Sequence, residues 1–127
     1  MNYGITKKVS MTYDEAVAKV TEELKKEGFG VLTTIDVKET LKKKLDVDVP
    51  RYIILGACNP PFAHKAIQAE ELVGLLLPCN VIVFEKEGTT TVAAFDPNVM
   101  ESVIENQQMK PIAAEIRARL ERVISAM

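Results

Sequence analysis

Tryptophan is absent from this sequence of 127 residues, and histidine occurs only once. Aromatic residues make up 6% of the chain, too few to predict a platform on which nucleic-acid bases could stack. Positive charge is not in excess either, because the sequence contains 16 lysines and arginines and 18 acidic residues. Binding to a phosphate backbone needs a concentrated basic surface, so no nucleic-acid partner is expected. The run Lys42–Lys44 is interpreted as the solvated face of a helix.

Long apolar runs and export signals are missing as well. The longest apolar stretches, such as Val73–Leu77, are far too short to span a bilayer, and Met1–Val9 lacks the apolar centre of a secretory signal. Only two cysteines are present. Since structural disulfides are typical of exported proteins, we expect a cytoplasmic protein with reduced cysteines and no membrane partner.

The patterned part of the sequence predicts one α/β domain over residues 1–127. Apolar periodicity continues almost from end to end, without a linker, a repeat or a low-complexity tract. The predicted order of elements is β-α-β-α-β-α-β-β-α-α. Strands are predicted at Tyr3–Val9, Phe29–Asp36, Arg51–Cys58, Cys79–Lys86 and Thr89–Phe95. Helices are predicted at Tyr13–Glu27, Val37–Leu45, from Pro60 to about Glu71, from Pro97 and from Pro111.

These elements predict a mixed α+β fold, with a five-stranded mixed sheet packed by helices. Connections that contain helices favour parallel pairing of the strands they join, whereas the tight turn at Glu87 and Gly88 predicts an antiparallel hairpin. The strand Arg51–Cys58 is apolar almost throughout, which suggests cover on both faces, by helices or by a partner subunit. Whether helices cover one face or both stays open at this point.

The most distinctive chemistry lies around Cys58. This residue ends the apolar strand directly before Asn59, which together with Pro60 predicts the start of a helix. The free N–H groups and the dipole of a helix start favour a thiolate or another anion. His64 lies one turn further along, and its ring would lean back towards the helix start because helical side chains tilt that way.

Cys79 joins this group in only one of two topologies. If the strands that contain Cys58 and Cys79 run parallel, the two sulfurs lie at opposite ends of neighbouring strands and far apart, since a five-residue strand is about 17 Å long. If these strands run antiparallel, the two cysteines share an edge and could converge with His64. The 20 residues between the cysteines allow either arrangement.

Three hypotheses about function follow from these residues. The leading one is a metal- or small-ligand-binding site formed by Cys58, His64 and Cys79, because thiolate and imidazole suit zinc or copper(I), although the spacing matches no standard zinc pattern. The second is a thiol enzyme in which Cys58 is the catalytic nucleophile and His64 its base. The third treats the cysteines as buried apolar residues and His64 as a surface residue of a structural or interaction protein.

Other residues near these thiols are candidates for ligand binding. Asn59 and Asp96 are predicted as helix N-caps, and they join Asn80 as candidate ligand-binding residues. Asp96 could also orient His64, although nothing in the sequence brings the two together. The run Leu72–Pro78 is unusually apolar for a connection, and it is interpreted as core, as a dimer contact or as the lip of an apolar pocket. No glycine pattern indicates a nucleotide-binding loop.

Several of these segments together resemble a known family. The segments are Gly28–Thr33, Ile35–Val37, Ile54–Pro61, Ala63-His64, Leu75–Val81 and Asp96-Pro97. They are similar to the bacterial and archaeal family catalogued as domain of unknown function 302, over roughly residues 3 to 105. The resemblance implies a small cytosolic α/β domain that forms a homodimer, and it implies no particular activity. The family motifs coincide with the candidate site, since they include Cys58, Asn59, Pro60, His64, Pro78, Cys79 and Asn80.

Overall fold

The computed structural model describes residues 2–127 and contains the predicted elements in the predicted order. The strands are β1 (Gly4–Val9), β2 (Gly30–Asp36), β3 (Tyr52–Cys58), β4 (Cys79–Lys86) and β5 (Thr89–Phe95). The helices are α1 (Tyr13–Lys26), α2 (Val37–Leu45), α3 (Pro60–Ala69), α4 (Met100–Val103) and α5 (Met109–Ser125). Two 3₁₀ turns occupy Glu71–Leu76 and Pro97–Val99. The mixed α+β, single-domain fold class with one five-stranded sheet is therefore confirmed.

The sheet is open, with the strand order β1-β5-β4-β3-β2. All four strand pairs are antiparallel, so the parallel pairs that the helix-containing connections favoured do not occur within residues 2–127. The connection between β2 and β3 shows why. It holds α2, of nine residues, and a short loop, and it returns the chain to the sheet edge at which β2 ended. A helix in a connection thus does not require a crossover to the opposite edge.

Local sequence signals explain where the first helix begins and ends. The Thr12 hydroxyl accepts a hydrogen bond from the backbone N–H of Glu15 (3.2 Å), and the Glu15 carboxylate accepts one from the backbone N–H of Thr12 (3.0 Å). This is the predicted capping box. Gly28 follows the helix with a φ of 85°, a conformation that glycine adopts without steric cost.

One face of the sheet carries the main hydrophobic core, which we call the sheet core. Helices α1 and α5 pack there, and their buried stripes meet the inward side chains of the central strands. The sheet core consists of Tyr13, Ala16, Val20, Leu24, Phe29, Leu55, Ala57, Cys79, Val81, Val83, Val92, Ala94, Ile116, Leu120, Val123 and Ile124. A second cluster, the small core, consists of Ala66, Val73, Met100 and Met109.

The other face of the sheet has no comparable cover. Side chains alternate along a strand, so the neighbours of the buried residues in β3, β4 and β5 point away from α1 and α5. Tyr52 and Phe84 stack on this face with their ring centroids 5.4 Å apart. Within the described residues, the two long helices that bury side chains in the sheet core, α1 and α5, lie on one face of the sheet. Within residues 2–127, no helix has both the length and the apolar character needed to cross a membrane.

Candidate functional site

A cavity of about 340 Å³ lies where the sheet core meets the small core. Its walls come from the end of β3, the start of β4, and helices α3 and α5. The residues that line it are Phe29, Leu32, Thr33, Ala57, Cys58, Asn59, Phe62, Ala63, Ala66, Ile67, Gly74, Leu77, Pro78, Cys79, Pro97, Met100, Met109, Ile112, Ala113 and Ile116. Among the described residues no charged side chain lines the cavity, so its interior is almost entirely apolar.

Antiparallel pairing of β3 and β4 brings the two cysteines to this cavity. Ala57 pairs with Cys79, so Cys58 and Cys79 lie at the same edge of the sheet. Of the two topologies compatible with the sequence, the structure has the antiparallel one, in which the two thiols lie at the same site. At the same edge, the Thr33 hydroxyl and the Pro78 ring fill the space that a side chain at Gly56 would need, so the backbone of β3 is closely covered there.

The two thiols lie in different environments. Cys79 belongs to the sheet core and is 7% exposed, whereas Cys58 is half-buried. Burial raises the pKa of the Cys79 thiol to about 11, and the neighbouring Cys58 adds to the increase. Cys79 therefore stays protonated at neutral pH and is a poor nucleophile, since the thiolate is the reactive form. Both thiols line the cavity, and Cys58 is the more exposed of the two.

The start of α3 differs from the anion-binding site that the sequence suggested. Pro60 and Pro61 fill its first two positions, and proline has no backbone N–H, so two of the donors that would favour a thiolate are missing. The Asn59 side chain makes no cap hydrogen bond. Instead its Nδ2 donates to the backbone carbonyl of Glu27 (3.2 Å), at the end of α1. Asn59 lines the cavity, but here its amide ties α3 to α1.

His64 lies apart from the two cysteines. It is exposed on α3 and does not line the cavity, whereas Phe62, Ala63 and Ala66 of the same helix do. Over residues 2–127, no group of three His, Cys, Asp or Glu side chains is placed so as to hold a metal ion. The geometry thus assembles the two thiols of the predicted constellation and leaves its imidazole outside, so the predicted three-residue metal site is not formed.

The remaining candidate residues also lie outside the cavity. Asp96 accepts a hydrogen bond from the backbone N–H of Asn98 (3.0 Å), as a cap does, and from the guanidinium of Arg117 (3.2 Å). Asp96 therefore connects the Pro97–Val99 turn to α5. Asn80 is exposed on β4.

Most of the cavity wall could not be assigned from motifs. Several lining residues have no catalytic side chain and are indistinguishable in the sequence from ordinary core residues. These are Met100, Met109, Ile112 and Ala113. One available signal was the small size of Ala63, Ala66 and Ala113, which leaves volume unfilled between helices.

The Phe62 ring in the cavity wall is held in place by Arg119. The guanidinium of Arg119 lies 5.1 Å from the ring centroid and also donates a hydrogen bond to the Glu27 carbonyl (2.9 Å).

Comparisons with known proteins agree with the fold and add no chemistry. The family model for the domain of unknown function DUF302 matches residues 5–127, a longer stretch than the motifs indicated. The crystal structure of an uncharacterized conserved DUF302 protein from Bacillus stearothermophilus is 33% identical in sequence and superimposes with a TM-score of 0.91. The match covers 98% of each chain. No curated protein matches this sequence.

Proposed function

The chain belongs to the family of the domain of unknown function 302, and we propose that it binds a small, uncharged and largely apolar molecule in the cavity beside Cys58. The family description assigns no activity, so the proposal rests on the cavity itself. The observation that carries it is a space of about 340 Å³ whose lining includes no charged side chain among the described residues. Ligand sites have this concave, apolar character and this order of volume.

The cavity is distinguished by its almost entirely apolar lining. Protein interiors pack as densely as organic crystals and leave few voids larger than a water molecule. Leaving apolar walls exposed to water or to empty space lowers stability, because dispersion contacts and burial are lost. A bound apolar molecule would restore both, which is why we interpret the space as a binding site.

The lining also restricts the charge of the ligand. A charged group moved from water into this cavity would lose its hydration without gaining an opposite charge, which is costly. The polar side chains in the lining are few: the Thr33 hydroxyl, the thiols of Cys58 and Cys79, and the Asn59 amide, which already donates to the Glu27 carbonyl. We therefore expect a ligand with at most one or two hydrogen-bonding groups, placed at the end of the cavity nearest β2 and β3.

Part of the wall is adaptable. Met100 and Met109 belong to the small core and line the cavity, and methionine has a flexible, polarizable side chain that fits irregular shapes. The opposite wall, formed by β3 and β4, is held in a sheet. This combination of a fixed and a flexible wall suits a class of related apolar molecules better than one rigid compound.

The test is a titration with N-phenyl-1-naphthylamine, an uncharged probe whose fluorescence rises in apolar sites. We expect saturable binding to the wild-type chain, and binding roughly tenfold weaker in Ala63→Leu, because the larger side chain occupies the cavity. Ala114→Leu is the matched control, since Ala114 is exposed on α5 and does not line the cavity. Mass spectrometry of the protein under native conditions would identify any molecule that copurifies.

Two results would overturn this proposal. One is a wild-type chain that is folded by circular dichroism and does not bind the probe. The other is a folded Ala63→Leu chain that binds the probe as tightly as Ala114→Leu does.

A second candidate is thiol chemistry on a molecule bound in the same cavity. The observation that favours it is the position of Cys58, a half-buried thiol in the cavity wall. The exposed position of His64 removes the base that the sequence suggested for this reaction. Incubation with an uncharged α,β-unsaturated ketone of apolar character, followed by intact-mass measurement, tests it. Covalent addition to wild type and not to Cys58→Ser is the expected result.

A further inference from the structure

Strand β2 forms one edge of the sheet, and its outer side is unpaired. In the strand order β1-β5-β4-β3-β2, its only neighbour within residues 2–127 is β3. An edge strand presents a row of backbone N–H and C=O groups that no strand of its own sheet uses. Six of the seven residues of β2 are exposed. The outer backbone groups of β2 are therefore accessible to another strand.

The two edges of the sheet are built differently. Natural proteins protect edge strands from pairing with other chains by means of lysines, prolines or covering elements. Strand β1, at the other edge, carries Lys7 and Lys8, and the Lys7 ammonium donates to the backbone carbonyl of Met127 (2.8 Å). Strand β2 contains no lysine, arginine or proline. Helix α2, which follows β2, has no buried residue, so it does not seal this edge.

The register of β2 shifts beside the cavity. Val31 pairs with Ala57 and Thr33 with Gly56, so Leu32 is the extra residue of a β-bulge. A bulge bends its strand and re-aims a side chain, and bulges are frequent next to functional sites. Leu32 and Thr33 both line the cavity and are exposed. The bulge therefore brings the unpaired edge to the opening of the cavity.

The cavity opens to solvent between β2 and α3. Most of its lining is buried or half-buried, but Leu32 of β2 is 69% exposed and Ile67 of α3 is 49% exposed. Gly74, in the turn that follows α3, lines the cavity and is exposed as well. These residues outline the mouth of the cavity, and one side of that mouth is the unpaired edge strand.

We propose that the outer edge of β2 binds an extended peptide segment of another protein, which adds a strand to the sheet and inserts one bulky apolar side chain into the cavity. The inference rests on the proposed function in one respect, because it uses the same cavity for an apolar group. In this mode of recognition, backbone hydrogen bonds provide affinity and pockets for side chains provide specificity. Beyond the bulge, Thr33–Asp36 pair regularly with β3, so their outer side offers the peptide a straight ladder.

Two features have to be satisfied together, and an extended peptide satisfies both. A small molecule fills the cavity but leaves the edge of β2 unpaired, and a membrane surface has no strand to pair with it. A second copy of this chain has β1 and β2 as its edges. The apolar residues of β1, Ile5 and Val9, pack against their own sheet core, whereas Leu32 of β2 lines its own cavity and Ile35 lies beside Ile54. A separate peptide strand has no such contacts to give up.

The cavity determines which side chain the peptide inserts. A volume of about 340 Å³ and an apolar lining suit an aromatic or a large aliphatic residue, the kind that dominates the energy of interfaces. A charged side chain would lose its hydration there without gaining a partner. Backbone pairing does not depend on the identity of the side chains, so the other positions of the peptide are less restricted. The expected recognition motif is therefore one bulky apolar residue within a strand-forming segment.

The test selects peptides from a phage-displayed library of random sequences of about seven residues, the length of β2, on the immobilised wild-type chain. We expect the enriched sequences to share one aromatic or large aliphatic residue. Replacing that residue by alanine in a synthetic copy of an enriched peptide should weaken binding roughly tenfold or more.

Backbone methylation of the same peptide tests strand addition directly. Alternate residues of a strand direct their backbone groups to the same neighbour. Methylating the amide nitrogens of one alternate set should therefore weaken binding roughly tenfold or more, and methylating the other set should leave it unchanged. Every side chain is retained in both peptides, so each is the control for the other.

Leu32→Glu tests the position of the peptide on the chain. A carboxylate at the mouth of the cavity would be desolvated by the peptide, so binding should weaken roughly tenfold. Leu45→Glu is the matched control, because Leu45 is 65% exposed on α2 and does not line the cavity. Circular dichroism checks that both variants are folded.

Several results would overturn the inference. They are a library that yields no enriched sequence, equal binding of the two methylated peptides, and a folded Leu32→Glu chain that binds the peptide as tightly as Leu45→Glu does. A chain that enriches no peptide and forms dimers that Leu32→Glu dissociates would assign the edge to a second copy instead. Binding of the naphthylamine probe is measured separately. A chain that binds the probe and no peptide keeps the proposed function and loses this inference, whereas a chain that binds peptides and not the probe does the reverse.

Discussion

The sheet core and the small core are built from different kinds of element. The sheet core is held by α1 of 14 residues and α5 of 17, each with a stripe of buried side chains. The small core is held by α3 of 10 residues, α4 of four, the Glu71–Leu76 turn and the first residue of α5, Met109. Long helices present several turns of complementary surface to a sheet, whereas short turns present only a few contacts each. The cavity lies at the junction of the two.

This difference in construction suits the sheet core to stabilising the fold and the small core to binding a ligand. In the sheet core, the side chains that do not line the cavity include the fully buried aliphatic residues Leu24, Leu120 and Val123. In the small core, methionines and alanines border a space that remains open. The two regions are joined by polar contacts at the Glu27 carbonyl, which accepts hydrogen bonds from Asn59 of α3 and Arg119 of α5. Regions with few buried contacts open locally at lower free energy, which eases the entry of a ligand.

The largest expected effect comes from truncating one residue in each core. Leu120 is fully buried between α5 and the sheet, so Leu120→Ala should lower the free energy of unfolding by about 3 kcal/mol. Met109 already borders the cavity, so Met109→Ala should cost roughly half as much, because part of its side chain has no partner to lose. Urea denaturation followed by circular dichroism measures both values.

Binding of the naphthylamine probe provides the control for this pair. Leu120→Ala should leave the affinity for the probe unchanged while the protein is folded, and Met109→Ala should change it. Equal losses of stability in the two variants would contradict the distinction between a tightly packed and an open region.

A second expected effect is a loss of stability in alkaline solution that depends on Cys79. The thiol has a pKa of 9.0 in its ordinary state and about 11 in the folded chain, because burial disfavours the thiolate. The unfolded chain therefore loses this proton first as the pH rises. The contribution is complete below pH 9 and is lost between pH 9 and 11, to a total of about 2 to 3 kcal/mol.

The comparison with Cys79→Ala isolates this effect. Burial also raises the pKa of Tyr13, but Tyr13 is present in both proteins, so its contribution cancels in the comparison. The difference in unfolding free energy between wild type and Cys79→Ala should hence shrink as the pH rises from 9 to 11. A difference that stays constant over that range would show that water reaches the Cys79 thiol in the folded chain.

The local features of the fold were accessible from the sequence, and the pairing of its strands was not. The capping box at Thr12, the apolar stripe of α1 and the tight turn at Gly88 depend on residues close together in the chain, and all of them are confirmed. Pairing depends on where each connection returns the chain. The β2–α2–β3 connection returns it to the same edge, which no periodicity in the sequence records.

The candidate site was predicted only in part, because its assembly also depends on how distant segments pack together. The sequence located Cys58 and Cys79, and antiparallel pairing placed both in one cavity wall. It also suggested that His64 leans towards Cys58. That argument used the tilt of helical side chains and omitted the rotation of α3, which turns Phe62, Ala63 and Ala66 inwards and leaves His64 exposed. The far wall on α5 carries apolar residues that only a three-dimensional contact identifies as part of a site.

The smallest expected effect on stability, and the clearest one on reactivity, concerns Cys58. Iodoacetamide should alkylate Cys58 at neutral pH at least tenfold faster than Cys79, because Cys58 is half-buried in the cavity wall and Cys79 is buried with a raised pKa. Cys58→Ala should change the free energy of unfolding by less than about 1 kcal/mol. Mass spectrometry of labelled peptides measures both rates, and adding the naphthylamine probe should slow labelling of Cys58 alone. Equal rates for the two thiols, or no protection by a probe that binds, would mean that the cavity does not give access to Cys58.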